Sequence, residues 1–247
     1  NNTNEKQKGY TMTEKKIPTV HVSMPCYDTM QVPTCLSLLK LFDKFTAAKI
    51  KTNISTFKSP YVGYSRNILS AIFLESNYDY QLFVDADVSF EPEVIGSMIM
   101  AQKDFICAPY RKKTHDNSVS YSVAFPDYKN INIDKSGITE IIGGPAGLTL
   151  IHRSVYEKLI KQYPQLKIKY ASGISDEQKK YLYNFWENTF DSKEGAWYGE
   201  DVSFCSLARQ TGFKLHALVH CEVGHHGTFN FSGKFVDTFA PTDEKSN

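Results

Sequence analysis

The feature that most constrains this chain is a run of short strand-like segments alternating with longer helix-like ones over residues 17–110. Residues 17–24 form an apolar strand pattern stopped by Pro25, which lacks an N–H donor. Residues 32–48 carry Leu36, Leu39, Phe42 and Phe45 at helical spacing. Residues 50–57 alternate Ile50, Thr52, Ile54 and Thr56 along one strand face. Residues 65–75 place Ile68, Leu69, Ile72 and Phe73 on one helical stripe, with Ser65 as N-cap. Residues 80–84 are a short apolar strand, Pro92 opens a helix running toward Gln102, and residues 105–108 form another strand. Such alternation predicts an α/β fold with a Rossmann-like, mixed but mostly parallel sheet flanked by helices.

The second half changes character. Residues 118–125 alternate strongly, 138–142 and 148–151 read as strands, and a glycine turn at 143–147 joins them. Ser154 with Glu157 predicts a capping box on a helix that Pro164 ends. Further helices are expected at 176–186 and at 200–211, the latter closed by Gly212, and a last strand at 214–219. No segment is long enough to link separate domains. The expectation is one domain over 17–240, divided into halves at 17–110 and 111–240, with polar tails at 1–16 and 241–247 that fray.

A formal net charge of +1 gives no field that would draw nucleic acid or an anionic membrane, so neither is expected as a partner. The start carries no apolar stretch suited to a signal or a membrane span. The five cysteines are odd in number and lack C-x-x-C spacing, which argues against a disulfide framework or zinc knuckle. Cys107 and Cys205 sit in apolar runs and read as small hydrophobes. A cytoplasmic, reducing setting is the expectation.

The strand at 80–84 runs directly into Asp85-Ala86-Asp87. In open α/β sheets, ligands bind beyond the carboxyl ends of strands. Two carboxylates one residue apart are costly to crowd unless a cation or hydrogen bonds compensate. A Mg²⁺ or Mn²⁺ ion also holding diphosphate oxygens is the functional reading, and a solvated Asp-rich turn the plain one.

With these residues in view, the chain resembles the GT-A-fold glycosyltransferases, in particular family 2-like nucleotide-diphospho-sugar transferases. The resemblance rests on the strand end at Pro25, Cys26, Tyr27 and Asp28, on Ser65-Arg66-Asn67 opening a helix, on Asp85-Ala86-Asp87, and on Trp197-Tyr198-Gly199-Glu200-Asp201. It implies that Pro25, Cys26, Tyr27 and Asp28 hold the nucleobase, that Arg66 lies near the donor phosphates, and that Asp85 and Ala86 line the donor site. By the same likeness Asp85 lies near ribose and metal, and Asp87 binds the metal. Gly224-His225-His226-Gly227 resembles the family's distant histidine ligand, aligned on His225 with His226 as the alternative. Asp201 is expected as the general base, with Glu200 as second choice; their favourable place in a first helical turn is the bland explanation. Gly144, Trp197 and Tyr198 are expected on the acceptor side, although a glycine turn and a buried Trp are the plain readings.

The implied reaction moves a sugar from a UDP- or GDP-linked donor to a glycan or other hydroxyl acceptor, with inversion. Two alternatives stay open. A sugar nucleotidyltransferase also uses carboxylates at strand ends, but the Gly-rich basic signature after the first strand is replaced here by Pro25-Cys26-Tyr27-Asp28. A non-catalytic sugar-binding protein would have no need of Glu200-Asp201. The basic run at 110–113 reads as a solvated turn or a loop closing over the donor. Residues 170–194 match no known pattern and are expected to shape acceptor choice.

Overall fold

The computed structural model describes residues 16–114, 119–227 and 229–239. The expected tails therefore lie, apart from Lys16, outside the described residues, as does Ser118 of the alternating run.

The elements of the first half follow the alternation closely. They are β1 (Val20–Pro25), α1 (Val32–Ala47), β2 (Thr52–Phe57), α2 (Val62–Glu75), β3 (Tyr80–Val84), β4 (Val88–Phe90), α3 (Pro92–Met100) and β5 (Phe105–Cys107). The second half supplies β6 (Ile138–Ile141), β7 (Leu148–His152), α4 (Arg153–Gln162), α5 (Asp176–Lys179), β8 (Thr189–Asp191), β9 (Ala196–Tyr198), α6 (Glu200–Gln210), β10 (Leu215–Leu218), β11 (Val223–His226) and β12 (Asn230–Phe231). One seven-stranded sheet runs in the order β2-β1-β3-β7-β5-β10-β6. Five of its strands (β2, β1, β3, β5 and β10) point the same way, and β7 and β6 oppose them. This is the expected mixed, mostly parallel α/β architecture. Strands of both halves interleave, since β7 lies between β3 and β5.

Period-two alternation divides the core. Leu82 and Val84 of β3, Ile106 of β5 and Leu148 and Leu150 of β7 face α1 and α3, packing with Leu38, Leu41, Ile95 and Met98. Phe83, Phe105 and Ile151 face the other side and meet Leu69 and Phe73 of α2, Leu159 of α4 and Phe204 of α6. Cys107 and Cys205 are buried among these apolar neighbours, and burial pushes the Cys205 thiol up to about 12. No helix among the described residues is long and apolar enough to cross a membrane.

Several local expectations differ from the structure. Helix α2 starts at Val62, so Ser65 lies inside it, buried, rather than capping it. The Ser154 capping box does not form; His152 takes the cap, its Nδ1 accepting from Ser154 N at 3.2 Å. The alternating residues of 119–125 form only isolated bridges, Arg111 with Tyr121 and Ala124 with Gly143. The helix expected at 176–186 stops at Lys179, because the chain then turns inward to bury Trp186. The Trp186 ring stacks on Phe204 at 3.9 Å and its Nε1 donates to Ser70 Oγ at 3.1 Å. The segment expected to serve acceptor choice is thus anchored in the core through Leu182, Phe185 and Trp186.

Candidate active site

Asp85 follows β3 directly, so the sheet fixes its position. Its N–H donates to Gly147 O at 2.8 Å, and its Oδ1 accepts from Arg66 Nη2 at 2.8 Å. Close approach dictates the glycine here: a Cβ at 147 would lie 2.2 Å from Tyr110 Oη and 2.4 Å from Asp85 Oδ2. Gly147 N instead donates to Tyr110 Oη at 3.1 Å. Burial, and then the Asp85 charge, push the Tyr110 hydroxyl well above the ordinary tyrosine value, so it stays protonated.

Arg66, on α2, is 2% exposed. The guanidinium expected near the donor phosphates is turned inward, onto the carboxylates of Asp85 and Glu200. Besides Asp85, its Nε donates to Glu200 Oε1 at 3.4 Å. Its Cζ lies 5.2 Å from the Phe83 ring and 5.7 Å from that of Trp186. Burial works against its charge, but Asp85 and Glu200 outweigh that and hold it more firmly protonated than an ordinary arginine. One buried cation thus ties the end of β3 to the start of α6.

Glu200 and Asp201 form the first turn of α6, where the macrodipole favours acids. The two differ in their partners. Glu200 faces Arg66, whereas Asp201 Oδ1 accepts from Val202 N at 2.7 Å and makes no salt bridge among the described residues. Burial, reinforced by the neighbouring Glu200 charge, raises the Asp201 carboxyl above the ordinary aspartate value. A carboxylate with this character is a better proton acceptor than a solvated one.

Asp87 sits between β3 and β4. The small antiparallel sheet β12-β11-β4 brings the chain end to it, with His225 opposite Val88 and His226 N donating to Asp87 O at 2.7 Å. His225 Nε2 lies 3.7 Å from Asp87 Oδ2, and its Nδ1 lies 2.8 Å from Arg111 O. A carbonyl can only accept, so Nδ1 carries the proton and Nε2 turns a lone pair toward the carboxylate. Burial, foremost, holds His225 below the ordinary histidine value and keeps it neutral. His226 Nε2 instead meets Ser89 Oγ at 2.7 Å. Of the two histidines, His225 is therefore the one aimed at Asp87.

Two electron-pair donors facing each other suit a cation, and a carboxylate with an imidazole suits Mn²⁺. Among the described residues, however, no group of three or more His, Cys, Asp and Glu side chains is disposed to hold a metal ion. The expected trio reduces to the pair Asp87 and His225, with Asp85 drawn toward Arg66. Lys113 Nζ forms an ion pair with Asp87 Oδ2 on the same side.

A cleft of about 380 Å³ opens beside these groups, lined by Pro25, Thr29, Gln31, Val62, Asp85, Ala86, Asp87, Lys113, His226 and Gly227. Of the residues expected at the donor, Pro25, Asp85 and Ala86 line this cleft. Cys26, Tyr27 and Asp28 do not line it; they make the turn between Pro25 and Thr29. There Cys26 Sγ donates to Thr29 O at 3.5 Å, and Lys58 pairs with Asp28 at 3.2 Å. Sequence reasoning missed Gln31, whose N–H donates to Ala86 O at 2.8 Å. Its position just before the Pro33 helix start was the available signal.

The residues expected on an acceptor side separate. Gly144 is a packing residue: a Cβ there would lie 2.8 Å from Cys107 Sγ and from Ile141 Cδ1, so the position faces the core and not an acceptor. Trp197 is 69% exposed, on the hairpin face it shares with Phe190. Tyr198 faces the other way and lines a second cavity of about 570 Å³ with Thr189, Glu194, Ser203, Ser206 and Arg209.

No protein-family pattern and no curated protein matches the chain. Solved structures match over much of it. A197 from STIV is 23% identical over 85% of this chain and 86% of its own, with a TM-score of 0.49. GalNAc-T7, solved with UDP, GalNAc and Mn²⁺, is 12% identical over 86% of this chain, which spans only 44% of GalNAc-T7, with a TM-score of 0.49. The 4-diphosphocytidyl-2C-methyl-D-erythritol synthase of Anaerococcus prevotii is 9% identical over 66% of this chain and 73% of its own, with a TM-score of 0.35. Likenesses of this degree leave the chemistry to be read from the chain's own side chains.

Proposed function

We propose that this chain is a metal-dependent glycosyltransferase of the GT-A type, moving a sugar from a UDP- or GDP-linked donor to a hydroxyl of a glycan or other acceptor. The observation that carries this reading is the Asp85–Arg66–Glu200 bridge. It joins the strand end that carries Asp85 to a helix start whose second acid, Asp201, makes no salt bridge among the described residues. Residues 17–240 act as one catalytic domain, with the donor side in 17–110 and the acceptor side in 111–240.

In this reading the donor lies in the cleft beside Pro25, Asp85 and Ala86, with the 25–28 turn at the nucleobase. Asp87 and His225 would hold a Mn²⁺ or Mg²⁺ ion through a carboxylate oxygen and Nε2, with Asp85 alongside. Such an ion neutralises the charge that builds on the leaving diphosphate. Arg66 keeps Asp85 and Glu200 in place. Asp201 accepts the proton of the acceptor hydroxyl as that oxygen bonds to the anomeric carbon. The bond from that carbon to the diphosphate oxygen breaks, and its electron pair leaves with the nucleoside diphosphate. Attack opposite the leaving group inverts the anomeric centre. Trp197 and Tyr198 contribute an aromatic face and a hydroxyl on the acceptor side.

Incubation with UDP- and GDP-sugars, Mn²⁺ and a panel of hydroxyl acceptors tests this. Nucleoside diphosphate released together with an inverted glycoside by NMR is the expected result. Pyrophosphate turnover would identify a nucleotidyltransferase instead. Sugar binding without turnover would identify a non-catalytic sugar-binding protein.

A further inference from the structure

Lys113 lines the cleft, and the reaction above gives it no task. It belongs to the basic run at 110–113, yet its side chain is 31% exposed and pairs with Asp87 Oδ2. Gly227 makes room for it: a Cβ there would lie 3.3 Å from Lys113 Cδ and 3.6 Å from Cε. The same short segment also sets the state of His225, because Arg111 O fixes the imidazole proton on Nδ1. Arg111 and Lys113 therefore act on the two members of one pair, the first exposing the His225 lone pair and the second covering the Asp87 carboxylate. An ammonium and a divalent ion cannot both occupy that oxygen without strong repulsion.

We propose that Lys113 is a tethered counter-cation for Asp87, which a divalent ion displaces and which then pairs with the anionic diphosphate in the same cleft. The inference rests on the metal-dependent reading. Its basis is geometric: the ammonium lies on the carboxylate that faces His225 Nε2, and Lys113 lines the cleft with Asp85 and Asp87. A flexible four-carbon stem lets the charge move from carboxylate to phosphate without a change in the backbone. The arrangement keeps Asp87 compensated before the ion arrives and adds a positive charge for the donor afterwards.

The test is calorimetric titration of Mn²⁺ into the nucleotide-free protein, followed by UDP and GDP at saturating Mn²⁺. Lys113→Met is expected to bind Mn²⁺ about 2- to 5-fold more tightly than the parent, the scale of a partly exposed ion pair. It should bind the nucleotide more weakly. Lys112→Met, with the same loss of charge one residue away, should leave Mn²⁺ affinity unchanged, and thermal unfolding of each variant checks its fold. Unchanged or weaker Mn²⁺ binding by Lys113→Met, while Asp87→Ala still abolishes it, overturns the counter-cation and leaves the metal reading standing. An equal gain in Lys112→Met overturns it as a general charge effect. Absence of Mn²⁺ binding in the parent overturns both.

In the unaltered protein, reductively ¹³C-methylated and titrated with diamagnetic Mg²⁺, the Lys113 signal should shift; it is assigned by its absence in Lys113→Met. A Lys113 signal unmoved while Mg²⁺ binds also overturns the proposal.

Discussion

Replacing Asp201 by Asn should damage catalysis and stabilise the fold at the same time. Asn keeps the shape and the oxygen that accepts from Val202 N at 2.7 Å, so the first turn of α6 retains that contact. What it removes is charge. Two effects on that charge compete. The helix macrodipole favours an anion in the first turn by about 0.3–1 kcal/mol. Burial and the adjacent Glu200 oppose it, and the raised carboxyl shows that they win. A folded-state value above the unfolded one means that Asp201 contributes stability fully below the unfolded carboxyl value and loses it as pH rises through the folded value. At pH 7 the wild-type chain therefore carries an unfavourable charge that Asn relieves. Each 1 kcal/mol of relief raises Tm by about 2–4 °C in a chain of this length. Loss of a general base slows transfer by about 10²- to 10⁴-fold, or about 2.7–5.4 kcal/mol of barrier. Thermal unfolding of both proteins from pH 3 to pH 8 is the assay, paired with nucleoside diphosphate release at pH 7. The Tm advantage should be largest at neutral pH and vanish below the unfolded carboxyl value. A variant less stable at pH 7, or one whose advantage grows toward acid, refutes the electrostatic argument; near-normal turnover moves the base to Glu200.

Arg66→Met should destabilise the protein by about 3–5 kcal/mol at neutral pH, because Asp85 and Glu200 lose their shared cation; denaturant unfolding measures this, and Arg66→Lys should recover only part of it. Gly147→Ala should cost about 1–3 kcal/mol and weaken nucleotide binding, since its Cβ meets Tyr110 Oη and Asp85 Oδ2; a melting curve and a UDP or GDP titration check both. Asp87→Ala should abolish Mn²⁺-dependent nucleotide binding, and His225→Ala should weaken Mn²⁺ affinity more than His226→Ala does, as read by calorimetry, because only His225 Nε2 faces Asp87.

The fold was legible wherever a local rule and the tertiary structure agree. Helix α1 ends within one residue of its apolar pattern, β3 matches its expected bounds, and Pro92 opens α3 as a first-turn proline should. The rule fails where long-range packing overrides it. Residues 119–125 have a strand's alternation but find only isolated bridges, so their pattern reports one side, Tyr121, Val123 and Phe125, packed on the core and not membership of the sheet. Residues 180–186 have helix-compatible composition, yet burying Trp186 against Phe204 and giving its N–H to Asn67 Oδ1 requires a non-helical path. Propensities worth a fraction of a kcal/mol per residue yield to burial of one large aromatic worth several times that.

The site was legible in composition but not in convergence. Asp85 and Asp87 announced themselves as a carboxylate pair at the end of an apolar strand, and nothing local indicated that they would part company. Their separation depends on partners far away in the chain. Arg66 reaches Asp85 only because α2 packs across the sheet face, and His225 reaches Asp87 only because β11 pairs with β4 in the register that sets His225 opposite Val88. A shift of one residue in that register would turn the imidazole to the other face of the small sheet. The three-residue β4 and two-residue β12 that hold the register are too short to carry a periodic signal. Arg66 was legible as a cation at a helix start, but its depth was not, since a buried arginine is recognisable only by the two acids and two aromatic rings that surround it. Those four partners come from residues 83, 85, 186 and 200, so its role in holding the acids exists only once both halves of the chain have folded onto one sheet.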